Sequence, residues 1–312
     1  MKHSQIAIQL LAAKECGYIK TSAQFWKNYP NVDKFLDLIS GKEEIVKMSN
    51  KIEQQFFSNN GNEGVLCAYD EDFPVINENA KNSEKPYLLF YKGNVSLLKD
   101  LNENVSVIGL LDPTHEIERR ESIVVEQLVK KNLTIVSGLA NGCDAIAHKK
   151  CLQSGGRTIA ILPSTLQNII PASNLSLANE IVERGGLLVT EYYSEPSGRY
   201  EAIERFVQRD RLQALFAKAV ILIASYRKGE GDSGSRHAMQ FAKSFGVERY
   251  VMYNDSSDRE DVRFGLNKDL VNMENEKIKV LHKGFAEEIS GIENPNLKDK
   301  KLISGATQLT FF

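Results

Sequence analysis

From residue 105 the apolar positions come in short runs, and amphipathic stretches separate them. The runs are Val105–Leu111, Leu133–Val136, Thr158–Leu162, Gly186–Thr190, Ala219–Ala224 and Arg249–Tyr253. Between them, Glu116–Lys131, Cys143–Ser154, Leu175–Arg184, Tyr200–Ala217 and Ser233–Phe245 carry apolar residues at helical spacing. Continuous apolar runs fit strands buried on both faces, and alternation with helices predicts parallel βαβ units. Right-handed crossovers then place the strand C-termini on one rim. The predicted class is α/β: an extended Rossmann-like fold, a mostly parallel sheet with helices on both faces.

Upstream, residues 3–56 have apolar residues at helical spacing, broken at Gly17, Pro30 and Gly41, and predict a small helical module. Val65–Tyr69 and Tyr87–Tyr91 read as strands that add edge structure. Ile278–Leu281 and Phe285–Ile289 predict a last strand and a short helix. The expected division is 1–60 for the helical module, 61–290 for the Rossmann-like domain and 291–312 for a flexible tail.

Composition narrows the function classes. The chain is 42% hydrophobic and 26% charged with a net charge of −2, which argues against coating nucleic acid by bulk charge but permits a local basic site. Cys16, Cys67, Cys143 and Cys151 have neither CxxC pairing nor metal-ligand spacing. With no long apolar run and no signal-peptide layout, a cytoplasmic protein without membrane contact is expected.

Chemistry is expected where strands lead into helices, since open parallel sheets bind ligands beyond their strand C-termini. The turn Ser137-Gly138-Leu139-Ala140-Asn141-Gly142-Cys143-Asp144 offers two glycines and a helix start that can face an anion. Asp144 reads equally as a helix cap, and His148 as a packing residue. A second turn, Ser233-Gly234-Ser235-Arg236-His237, adds two hydroxyls and an arginine suited to a phosphate. Arg205, Arg209 and Arg211 cluster on one predicted helix, where the first two share a face; a solvated charged face is the alternative. The first turn, Gly109-Leu110-Leu111, is not GxGxxG, and no Walker lysine motif occurs. No cofactor, metal site or catalytic set is therefore expected.

Taken in order, these segments resemble the DprA/Smf family of bacterial DNA-processing proteins. Residues 137–144 with His148 are similar to that family's SGxAxGID…H, and Phe206 with Arg209-Asp210-Arg211 to its F-P-x-R-N-R. Residues 233–235 resemble its SGS, Gly265 and Asn267 its late G-x-N, and Phe73-Pro74 its lead-in. The resemblance implies a non-enzymatic mediator that binds single-stranded DNA, forms a homodimer and helps load a RecA-type recombinase. It implies DNA or phosphate contacts at Ser137, Gly138, Asn141, Gly142, Arg205, Arg209, Arg211, Ser233, Gly234, Ser235, Arg236 and His237. Three positions depart from the pattern: Leu111 stands for an arginine, Pro163 for a glycine and Asp210 for an asparagine. No winged-helix module is expected after the Rossmann-like domain. Two alternatives remain: a nucleotide-binding or nucleotide-hydrolysing protein of the lysine-decarboxylase-like type, and a scaffold without DNA binding. The terminal residues Gln308, Leu309, Phe311 and Phe312 resemble the bacterial sliding-clamp-binding peptide, or dock on their own domain.

Overall fold

The structure, a computed structural model, describes residues 4–56, 63–232, 234–274 and 276–297. Four helices open it: α1 (Gln5–Glu15), α2 (Ser22–Asn28), α3 (Val32–Ile39) and α4 (Glu43–Phe56). Ser4 caps α1 by accepting from the Ala7 amide at 3.1 Å. Ala7, Ile8, Leu10, Leu11, Ala12 and Ala13 are all fully buried, because α1 packs between α4 and the strands that follow.

Those strands, β1 (Glu63–Cys67) and β2 (Leu88–Gly93), form an antiparallel pair. β1 ends two residues before its expected limit. The Asp70 carboxylate accepts from the Cys67 amide at 2.7 Å and turns the chain there. Alternation then runs β3 (Asn104–Ile108), α5 (His115–Lys130), β4 (Thr134–Ser137), α6 (Cys143–Gln153), β5 (Thr158–Ile161), α7 (Leu175–Glu183), β6 (Leu187–Thr190), α8 (Arg199–Leu215) and β7 (Ala219–Leu222). The remainder is α9 (Arg236–Phe245), β8 (Glu248–Val251), α10 (Asp255–Asp258), α11 (Gly265–Asn272), β9 (Lys279–Val280) and α12 (Phe285–Ser290). The strands and helices expected between residues 105 and 289 are present to within a few residues, while α10 and α11 had no sequence expectation. The largest shifts are of three residues: β3 ends at Ile108 rather than Leu111, and α9 starts at Arg236 rather than Ser233. Just before it, Gly234 donates to Asp232 (3.2 Å) and the Ser235 hydroxyl to the Gly109 carbonyl (2.9 Å), so these residues are held in a turn.

The nine strands among the described residues form one sheet in the order β1-β2-β6-β5-β4-β3-β7-β8-β9. β1, β2 and their junction with β6 are antiparallel; every other pairing is parallel. The predicted α/β architecture is thus the observed one. From β3 the chain walks outward to β6, and α8 carries it back to β7 on the other side of β3. The strand order reverses between β3 and β7, which in an open α/β sheet marks the ligand-binding crevice. Both faces are covered. Val105, Val107 and Ile221 pack under α5, α6 and α12, while Ile108, Val136 and Leu222 pack under α8 and α9. The N-terminal helices cover one face of β1 and β2 through Phe25, Phe35, Val65 and Phe90. No helix among the described residues is long and apolar enough to cross a membrane.

Candidate functional site

Three turns meet at the reversal point. The Cys143 amide donates to the Leu110 carbonyl at 2.9 Å, which joins the turn after β4 to the turn after β3. The Ser235 bond to Gly109 joins the turn before α9 to the same segment. Gly142 has φ +72, and a Cβ there would collide with the Leu110 and Leu111 backbone. Leu139, fully buried, is held at φ +59, a conformation uncommon outside glycine and asparagine. The sequence expectation of a shared rim is met in space.

Arg209 is the keystone of this rim. Its guanidinium lies on the backbone of Gly138, where a Cβ would occupy the same space. Nη1 donates to Asp144 Oδ2 at 2.8 Å, and that oxygen also accepts from the Ala140 amide at 3.3 Å. Nε lies 3.2 Å from Asp210 Oδ1. The Gln213 amide, oriented by its partners, donates to Asp210 Oδ1 (3.1 Å) and accepts from the Gly138 amide (2.9 Å). Burial pushes the Asp210 carboxyl up to about 7, partly opposed by Arg209. Beneath the rim, Thr158 donates to the Ile135 carbonyl (2.8 Å) and so accepts from His148 Nδ1 (2.7 Å). Burial pushes His148 down to about 4, keeping its ring neutral.

The sequence-predicted residues divide by what they touch. Gly138, Gly142, Arg209, Gly234 and Ser235 build the interlocked turns. The Ser137 hydroxyl donates to the Val107 carbonyl at 2.7 Å and links β4 to β3. Asn141 is exposed, and its Oδ1 accepts from Ser173 Oγ at 3.1 Å. Arg236 and His237 are half-buried at the start of α9. Arg205 and Arg211 turn away from the rim. Arg205 donates to Glu201 (2.6 Å) and to the Ser194 carbonyl (2.8 Å) with its guanidinium 4.1 Å from the Tyr192 ring. Arg211 engages Glu191 and the Glu84 carbonyl. The face expected to unite Arg205 and Arg209 splits because long side chains follow the nearest carboxylate. Ser233 and the terminal peptide Gln308, Leu309, Phe311 and Phe312 lie outside the described residues.

Two contributors were not singled out from sequence. Gln213 is four residues beyond Arg209, a spacing that could have revealed it. Lys228 is an exposed cation in the turn after β7 and carries no pattern signal. Leu111, in the place of the family's arginine, is half exposed on the first turn. The exposed face of α8 carries Tyr200, Ile203 and Phe206, and the Phe206 ring lies 6.0 Å from the Arg209 guanidinium. Among the described residues no three His, Cys, Asp or Glu side chains are placed to hold a metal.

A doubly wound α/β sheet with glycine turns and an aromatic helix face at its switch point defines a Rossmann-like protein. Residues 64–276 match the family described as DNA recombination-mediator protein A, and the chain belongs to it. It is 32% identical over 177 residues to protein Smf of Synechocystis sp., covering 56% of this chain and 42% of that one. It is 35% identical over 147 residues to DNA processing protein DprA of Streptococcus pneumoniae, covering 47% of this chain and 50% of the relative. The chain therefore spans half or less of these relatives' length. In fold it is similar to the crystal structure of the S. pneumoniae protein (TM-score 0.58, 23% identity, 90% of each chain). It is also similar to DNA processing protein A of Helicobacter pylori (TM-score 0.57, 23% identity, 73% of this chain and 95% of that one), whose single-stranded DNA binding mode has been described.

Proposed function

We propose that this protein is a recombination mediator that holds single-stranded DNA across the rim. The carrying observation is the juxtaposition on α8: Phe206 is partly exposed beside Arg209, and Arg209 lies on the glycine turn at 138. An exposed ring next to backbone turns and cations suits a strand whose bases stack while its phosphates are held without sequence readout. Arg199, Lys228 and Arg236 lie on the same side of the sheet and supply positive charge. Homodimer formation, delivery of the strand to a RecA-type recombinase and a sliding-clamp contact through Gln308, Leu309, Phe311 and Phe312 belong to the same reading. The likeness to a relative with a described DNA-binding mode supports it.

Oligo-dT binding measured across salt tests it. Affinity is expected to fall steeply with salt. Phe206→Ala is expected to weaken it by roughly 1–3 kcal/mol, the worth of one stacked base, and Arg236→Ala to flatten the salt dependence. Tight mononucleotide binding with turnover would move the protein to the nucleotide-handling class. No binding at any salt would favour a scaffold, the reading that Leu111 in place of an arginine supports.

A further inference from the structure

A second polar cleft, of about 340 Å³, lies on the other side of α8, between that helix and the N-terminal helices. Its lining includes Lys14 from α1 and Lys20 from the following turn, with Arg205, Gln208 and Arg211 from α8 and Tyr192 after β6. Arg205 is committed to Glu201 and Arg211 to Glu191. Lys14 and Lys20 form no ion pair with any described residue, and burial lowers the Lys14 pKa. The cleft also holds Glu204, which is exposed, so its four cations face three carboxylates. The hydroxyls of Ser22 and Ser83 add neutral donors to the lining. The two lysines come from α1 and the turn after it, outside the residues that match the family.

We infer that this cleft is a second phosphate-holding subsite, in which Lys14 and Lys20 receive the backbone of the same DNA strand as it leaves the rim. The inference rests on the single-strand reading above. Arg205 and Phe206 are consecutive on α8, so the rim and the cleft are separated by about one helix diameter, ~10 Å. A strand crossing the exposed turn of α8 passes from the Phe206 ring, beside the exposed Glu204, to the two lysines. A phosphate entering the cleft gives Lys14, which feels Glu191, Glu15 and Glu201 only at a distance, a direct partner, and the Arg205–Tyr192 stack lines one wall. The shape also admits a free nucleotide, which shares the phosphate chemistry.

The test compares full-length wild type with Lys14→Ala/Lys20→Ala and with the surface variant Lys20→Glu, using oligo-dT of increasing length and dTMP as separate probes. Both variants are expected to keep the affinity of wild type for the shortest oligonucleotides and to lose the gain that longer ones give. The log affinity of the double variant for long oligo-dT is expected to depend on log salt less steeply by about one, the loss of one or two phosphate contacts. If wild type binds no oligo-dT, the single-strand reading itself fails. If wild type binds and both variants match it at every length, the subsite assignment is overturned. Saturable dTMP binding lost in the variants, with oligonucleotide binding unchanged, overturns the strand assignment in favour of a small-molecule site. Lys20 is exposed, so Lys20→Glu decides the matter even if the double variant folds poorly.

Discussion

Gly138 is the residue on which the rim geometry depends. Only the absence of a Cβ lets Arg209 lie on the backbone and reach Asp144. Gly138→Ala is therefore expected to expel the guanidinium and leave Asp144 and Asp210 buried without it, a loss of roughly 3–5 kcal/mol. Thermal unfolding checks this, and an unchanged Tm would contradict the packing described. Asp210 makes a second prediction at this scale. In the unfolded chain its carboxyl ionises near the ordinary 3.8, whereas in the fold burial holds the proton to about 7. The folded state thus binds this proton more tightly. The resulting stabilisation is complete below the unfolded value and is lost as pH rises through about 7. Asp210→Asn, which restores the amide of the family pattern, is expected to gain Tm over wild type as pH is raised from about 5 to about 8. At about 2–4 °C per kcal/mol, the difference is measurable. A Tm gap that is flat with pH would remove Asp210 as the titrating group.

Helix α8 links the parts of the molecule. As the crossover from β6 to β7 it passes over the rim, and its residues serve two clefts from opposite sides. Phe206, Arg209 and Gln213 face the glycine turn, while Arg205, Gln208 and Arg211 face the N-terminal helices. The turn after β3 is the weaker partner, because Leu111 leaves it without a cation. Leu111→Arg is expected to raise oligo-dT affinity about threefold to tenfold at low salt and to steepen the salt dependence by about one. Titration of the variant against wild type at several salt concentrations checks this. No gain would mean that the first turn lies off the strand path.

Across the whole molecule, the N-terminal helices and the sheet share an apolar core. Phe25 stacks on Tyr87 at 4.6 Å, and α1 covers Val65, Cys67 and Phe90. Unfolding is expected to be a single cooperative transition, and removing residues 1–60 to expose this face and cause aggregation; two separated calorimetric transitions would contradict this. The strand–helix order and the rim turns were legible in the sequence for a local reason. Doubly buried strands need unbroken apolar runs, helices need a 3.6-residue period, and tight turns need glycine, all within a few neighbouring residues. Partner choice was not legible. Arg209 and Asp144 are 65 residues apart and Arg211 and Glu84 127 apart, so no spacing rule relates them. Arg205 and Arg209 share a helical register yet bind opposite walls, because the crossover of α8 brings a different carboxylate to each. The sequence by itself determined the elements and the rim. Tertiary structure decided which charges are neutralised inside and which, like Lys14 and Lys20, stay open to an anion, because the long-range fold sets where each counter-charge lies.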